Sequence, residues 1–154
     1  MSIESRLAEL NIELPPAPPQ GGVYQPVLVL GNLAYFSGHG PYKSDGTYIC
    51  GKVGADLDLA AGQGAARQTG LAILASMKAC LGSLDYIHRI IKLLGMVDCS
   101  QEFKEHPQVI NGCSELYRDI FGEDAGVGVR SAVGVGSLPG GISVEIEGVF
   151  EIKE

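Results

Sequence analysis

The chain has no tryptophan, only three histidines, and eleven lysines and arginines against eighteen acidic residues. A net charge of −7 with no basic run excludes nucleic acid as an obvious partner, because duplex affinity rests on neutralising phosphates with Lys and Arg. No apolar run reaches the length of a spanning helix, so no membrane association is expected. The N-terminus, with Glu4, Arg6 and Glu9, lacks the apolar core of a signal peptide. Cys50, Cys80, Cys99 and Cys113 form no CxxC and share no metal spacing with His39, His88 or His106. They read as small buried hydrophobes in a reducing cytoplasm, and no metal site is expected.

What is present is the material of one globular domain. The 154 residues are 45% hydrophobic, enough to bury a core. Twenty-two glycines with no repeat period point to many turns and close backbone contacts.

Ser2 to Leu10 is predicted as a short helix with Ser2 as N-cap; Ser5 stands where a capping box carries Glu or Gln. Leu14 to Gly22, with four prolines, is an extended connector along the surface, or alternatively a proline-recognition ligand. Tyr24–Leu30 and Leu33–Ser37 flank Gly31-Asn32, a hairpin signal. Ser37-Gly-His-Gly-Pro41 is expected as a glycine turn that offers backbone N–H groups to an anion or polar substrate atom. A loop with a short strand near Tyr48 to Lys52 follows.

Leu59 to Leu81 is the first long helix. Its small residues, from Ala60 to Ala66, suit close helix–sheet packing, and Leu71, Leu74, Met77 and Leu81 form an apolar face. Gly62-Gln-Gly64 lacks the third glycine and the preceding strand of a dinucleotide fingerprint. Leu84 to Val97 reads as a central strand, and its lone His88 as structural. Pro107 opens a second helix that runs to Phe121 with i, i+3/i+4 apolar spacing and Gly122 as its stop. The order β-β-(β)-α-β-α-β-β implies an α+β sandwich: two helices cover one face of a mixed or antiparallel sheet. The other face, carrying the small residues and charges, needs solvent or another subunit.

The last stretch, Gly126 to Glu147, alternates with period two in two strands joined by a Gly/Pro turn. Val127, Val129, Val133 and Val135 share one face, with Ser131 between them; Arg130, Ala132, Gly134 and Gly136 share the other. In the second strand Ile142, Val144 and Ile146 oppose Ser143, Glu145 and Glu147. An arginine among residues too small to fill space has two readings. One is a cross-strand Arg–Glu pair on a solvated face. The other is a carboxylate-binding pocket, since a guanidinium grips a carboxylate in bidentate fashion.

These residues resemble the Rid family, the YjgF-like reactive intermediate deaminases also labelled L-PSP endoribonucleases. The resemblance runs from Gly22 to Ile152 in two ungapped blocks. One is Gly22-Val-Tyr24 with Gly31-Asn32, Ser37-Gly38 and Pro41; the other is Arg130-Ser131 with Leu138-Pro139 and Val144-Glu-Ile-Glu147. It sets residues 1–21 apart as an N-terminal extension to a Rid-like domain at 22–154. It implies a chorismate-mutase-like fold, a homotrimer with a pocket at each subunit interface, and no metal or organic cofactor. The implied reaction is hydrolysis of enamines and imines such as 2-aminoacrylate to 2-keto acids and ammonia.

By position, Arg130 would bind the substrate carboxylate with help from the N–H of Ala132, and Glu145 would hold or activate water. Tyr24 would line the pocket across the interface, the Gly38 backbone would touch substrate, and Asn111 or Ser114 would stand for the family's pocket asparagine. Ala132 replaces a common Cys, and His39-Gly40 replaces the commoner Gln-Ile, a change expected to reshape the pocket floor. Two other classes of function stay open: a non-catalytic trimer that binds carboxylate metabolites, and an endoribonuclease, which the acidic charge disfavours.

Overall fold

Ser2 Oγ accepts from Ser5 N at 3.0 Å and so caps α1 (Ile3–Glu9) in the computed structural model, which describes residues 1–154. Leu7 is buried in the main core. Ile3 N donates to Asp85 Oδ1 (2.6 Å) and Arg6 Nε donates to Asp119 O (2.9 Å), which fasten the segment to the rest of the chain. The proline-rich stretch then runs without regular structure.

Five strands form one sheet: β1 (Val27–Leu30), β2 (Leu33–His39), β3 (Ile87–Asp98), β4 (Val129–Val135) and β5 (Val144–Ile152), in the order β1-β2-β5-β3-β4. The hairpin forms as expected: Leu30 pairs with Leu33, and Gly31 takes φ +61°. Its first strand starts at Val27, not Tyr24, because Pro26 has no N–H to give a ladder. The short strand expected near Tyr48 is reduced to single bridges, Tyr42 to Tyr48 and Cys50 to Ile142.

Two expectations for the C-terminal strands are overturned. β4 and β5 are not neighbours. β3 lies between them, antiparallel to β5 and parallel to β4, so the chain after β4 crosses over by a one-turn 3-10 helix, Pro139–Gly141. The valine face also does not point to the core: Val129 and Val133 are 68% and 42% exposed. Period two separates the faces of a strand but does not say which one the helices cover.

The helices α2 (Leu59–Leu81) and α3 (His106–Phe121) lie on the other face. Asp58 caps α2 by accepting from Ala61 N, and Gly82 ends it in the left-handed region. The segment from Thr69 to Met77 is buried on every side, so its apolar stripe widens to the whole circumference. Of the small residues from Ala60 to Ala66, Gly62 lies against α3 and the preceding loop, where a Cβ would sit 3.3 Å from Val109 Cγ2 and 3.1 Å from Val53 Cγ1. A Cβ at Gly70 would sit 3.0 Å from Cys113 Sγ, and one at Gly112 would run into Gln63 O. Fully buried Phe150 joins the two layers, its ring 4.9 Å from Phe36 and 5.7 Å from Tyr117; each such ring contributes about 1.5–3 kcal/mol by burial. Of the cysteines only Cys113 is buried, and all four are free.

Candidate active site

The chain reaches β4 through Gly126 and Gly128, which pass too close to neighbouring carbonyls for any side chain. A Cβ at Gly128 would be 2.5 Å from Ile91 O, and one at Gly126 would meet Tyr117 O. This tight path puts Arg130 on the helix side of the sheet, beneath α3. Its Nη1 donates to Ser114 Oγ (3.0 Å) and its Nη2 to Pro107 O (3.2 Å). Both partners are neutral, and no carboxylate of the chain lies in ion-pair range of this guanidinium. The cross-strand Arg–Glu pair therefore does not form. Arg130, Ser114 and Asn111 line one cavity of about 340 Å³, together with Glu115 and Arg118. Ala132, two residues on, packs against the core on that same side.

Glu145 belongs to a different cavity. Between Phe36 and His39, β2 advances three residues while β5 advances two, from Gly148 to Ile146. The Ser37-Gly38 segment is thus a β-bulge within a strand, not the glycine turn expected. The bulge brings Gly38 against Glu145, where a Cβ would sit 2.5 Å from Oε2, so only glycine leaves room for the carboxylate. Tyr24, Gly38 and Glu145 share a cavity of about 830 Å³ with Tyr48, Cys50 and Ile142. Half-burial pushes the Glu145 carboxyl above the usual carboxylate range, and the like charge of Glu147 pushes it the same way.

The two cavities lie on opposite faces of one sheet. Arg130 pairs with Leu93, which is buried under the helices, whereas Glu145 pairs with Met96, on the open face. Within one chain the guanidinium and the carboxylate do not meet.

A family model described as "YjgF/chorismate_mutase-like, putative endoribonuclease" matches residues 4–138. The chain belongs to the YjgF/Rid family. It is 44% identical to a crystallised protein of unknown function from Agrobacterium tumefaciens, Atu1372, with a TM-score of 0.89 over 98% of this chain and 92% of that one. It is 37% identical to "Protein TCP17" of Trypanosoma cruzi over 98% of this chain and 94% of the relative. A RidA from the Antarctic bacterium Psychrobacter sp. PAMC 21119 matches at 26% identity, with a TM-score of 0.63 over 88% of this chain and 94% of that one.

Of the pair that replaces the common Gln-Ile, Gly40 lines the Glu145 cavity, whereas His39 does not. It turns inward and is buried, with Nδ1 2.6 Å from Ser37 O and Nε2 2.8 Å from Ser76 Oγ. A carbonyl only accepts, so Nδ1 carries the proton and Nε2 accepts from the hydroxyl. Burial pulls this imidazole below its usual pKa and keeps it neutral, while the contact with Ser37 opposes that shift. The ring thereby pins the bulge that seats Glu145.

Reading the sequence alone missed Tyr48, Cys50 and Ile142. No sequence pattern marked them; they come together around Gly40, where a side chain would meet Ile142 Cδ1 at 2.8 Å and Tyr48 Cδ1 at 3.2 Å. No group of three or more His, Cys, Asp or Glu side chains converges to hold a metal ion. No helix is long and apolar enough to cross a membrane.

Proposed function

We propose that the protein hydrolyses small reactive 2-imino acids and their enamine forms to 2-keto acids and ammonia. The active site would form between copies of the chain in a homotrimer. The observation that carries this reading is the division of the site. Arg130 lies beneath α3 with neutral partners and Glu145 lies on the opposite sheet face, a separation that a second chain would bridge.

Each half suits one part of the reaction. Arg130 offers five N–H donors and uses two within the chain, leaving the guanidinium fork for a carboxylate, a charged contact that contributes about 1.5–3 kcal/mol. The imine carbon is already electrophilic, so orientation and one acid–base group suffice. Glu145 takes a proton from water as the oxygen adds to the C=N carbon. It passes that proton to the nitrogen to give the carbinolamine, then carries the carbinolamine hydroxyl proton to the same nitrogen as the C–N bond breaks, so the ketone forms, ammonia leaves and the carboxylate is restored. A raised pKa fits that double duty, and general acid–base help is worth about 10²–10⁴ in rate. The YjgF/Rid membership and the RidA neighbour support the reading. The endoribonuclease description has weaker support, with eighteen acidic against eleven basic residues and no basic run.

Subunit complementation tests it. Arg130→Ala and Glu145→Gln homo-oligomers should each lose at least about tenfold in kcat/KM for imines generated in situ by an amino-acid oxidase. Mixed by unfolding and refolding together, they should regain roughly a quarter of wild-type activity, because random assembly places an intact Arg130 opposite an intact Glu145 at that share of interfaces. No recovery from a mixed oligomer overturns the shared site. No turnover by wild type, with keto acids still bound, points to a binding trimer instead.

A further inference from the structure

Resting on the deaminase reading, we propose that the preferred substrate carries an aromatic side chain, received in the recess between Tyr24 and Tyr48 beside Glu145. The two half-sites divide the substrate by chemistry. Arg130 is the only cation without an acidic partner among the candidate residues and takes the carboxylate, so the rest of the molecule must extend into the Glu145 cavity.

That cavity, at about 830 Å³, matches sites that hold ligands far larger than a three-carbon imino acid, since such pockets run from about 300 to 1,000 Å³. Its lining is mixed, with Ser37, Thr47 and Glu145 beside the flat rings of Tyr24 and Tyr48. The Tyr24 ring is held by its hydroxyl, which accepts from Gly21 N at 3.0 Å. The Tyr48 ring is braced from behind by Tyr42, with centroids 5.1 Å apart and planes at 57°. Burial raises the Tyr48 phenol above its ordinary pKa, with Tyr42 and Tyr24 adding to the shift, so this wall stays uncharged.

The place of the Tyr48 ring beside Ile142 depends on Gly40. A side chain there would drive Ile142 and Tyr48 off their present positions. An aromatic group entering the recess would find offset and edge contacts of the kind aromatic pairs prefer. A short aliphatic group would leave both rings uncovered.

The test compares imines made in situ from L-alanine, L-leucine and L-phenylalanine with wild type, Gly40→Ile, Tyr48→Ala and Tyr48→Phe. Calorimetry of pyruvate and phenylpyruvate on each protein supplies a readout independent of turnover, and thermal melts confirm folding. We expect kcat/KM to favour the phenylalanine-derived imine over the alanine-derived one by about tenfold or more, the scale a hydrophobic pocket provides. That ratio should collapse toward one in Gly40→Ile and Tyr48→Ala and survive in Tyr48→Phe. Equal or better use of the alanine-derived imine by wild type overturns the inference and leaves the deaminase reading standing. If no imine is hydrolysed yet phenylpyruvate binds more tightly than pyruvate in a Tyr48-dependent way, the recess stands and the deaminase reading falls. If neither is seen, both fall.

Discussion

Glu145 shows how one side chain takes a property from its surroundings. Half-burial penalises its charged form, and Glu147, two residues along the same strand face, adds a like charge. The folded-state pKa is therefore raised, so the folded protein holds this proton more tightly than the unfolded chain does. The cost of ionisation is fully present above the folded pKa and vanishes below the unfolded value of about 4.3. Glu145→Gln should accordingly melt higher than wild type at pH 7, with the difference shrinking to nothing by about pH 4. Glu147→Gln should move the acidic limb of the pH–rate profile to lower pH, since it removes one of the two causes. An unmoved limb would show that Glu147 does not act on Glu145. Both carboxylates and Arg130 could be picked out in the sequence. The roles of Gly40 and Tyr48 could not, because they are far apart along the strand-and-loop path and matter only through the recess they shape.

Among the elements, the long helices were the most legible. α2 was expected from Leu59 to Leu81 and occupies those residues, because Asp58 and Gly82 mark its ends chemically. α3 likewise carries Pro107 in its first turn, beginning at His106, and stops at Gly122. The small residues of α2 were expected against the sheet, yet Gly62 lies against Val109 of α3 and Val53, since a small residue signals a close neighbour without naming it. Gly112 packs on the backbone of Gln63, so Gly112→Ala should force α2 and α3 apart and destabilise the fold by about 1–3 kcal/mol. Urea unfolding would show this as a lower midpoint at unchanged slope; an unshifted midpoint would mean the helices relax without cost. The bulge at Ser37-Gly38 was taken for a turn because glycines permit both. The pairing with β5, a hundred residues away, makes it a bulge.

For the whole molecule, the open sheet face is the unresolved demand of the sequence. Leu28 and Tyr35 on β1 and β2 are 53% and 41% exposed, and a cavity of about 490 Å³ between them and Leu94 also reaches Lys92 and Glu147. Exposed apolar side chains gathered around such a cleft suit the subunit contact proposed above. Leu94→Lys should place a charge in the proposed subunit contact, so that the variant sediments as a single chain and loses imine hydrolysis together with assembly. A wild type that sediments as a single chain at micromolar concentration would overturn the shared-site reading, whatever the variant does.

Local chemistry in the sequence determined the elements, their caps, the hairpin and the family signature, because each depends on residues a few positions apart. Strand order, the face that α3 covers and the separation of Arg130 from Glu145 were decided only by the tertiary structure. Inserting β3 between β4 and β5 depends on long-range packing of the core, where Phe150, Phe36 and Tyr117 meet. Alternation tells which residues share a face; only packing decides which face the helices bury and which one stays open.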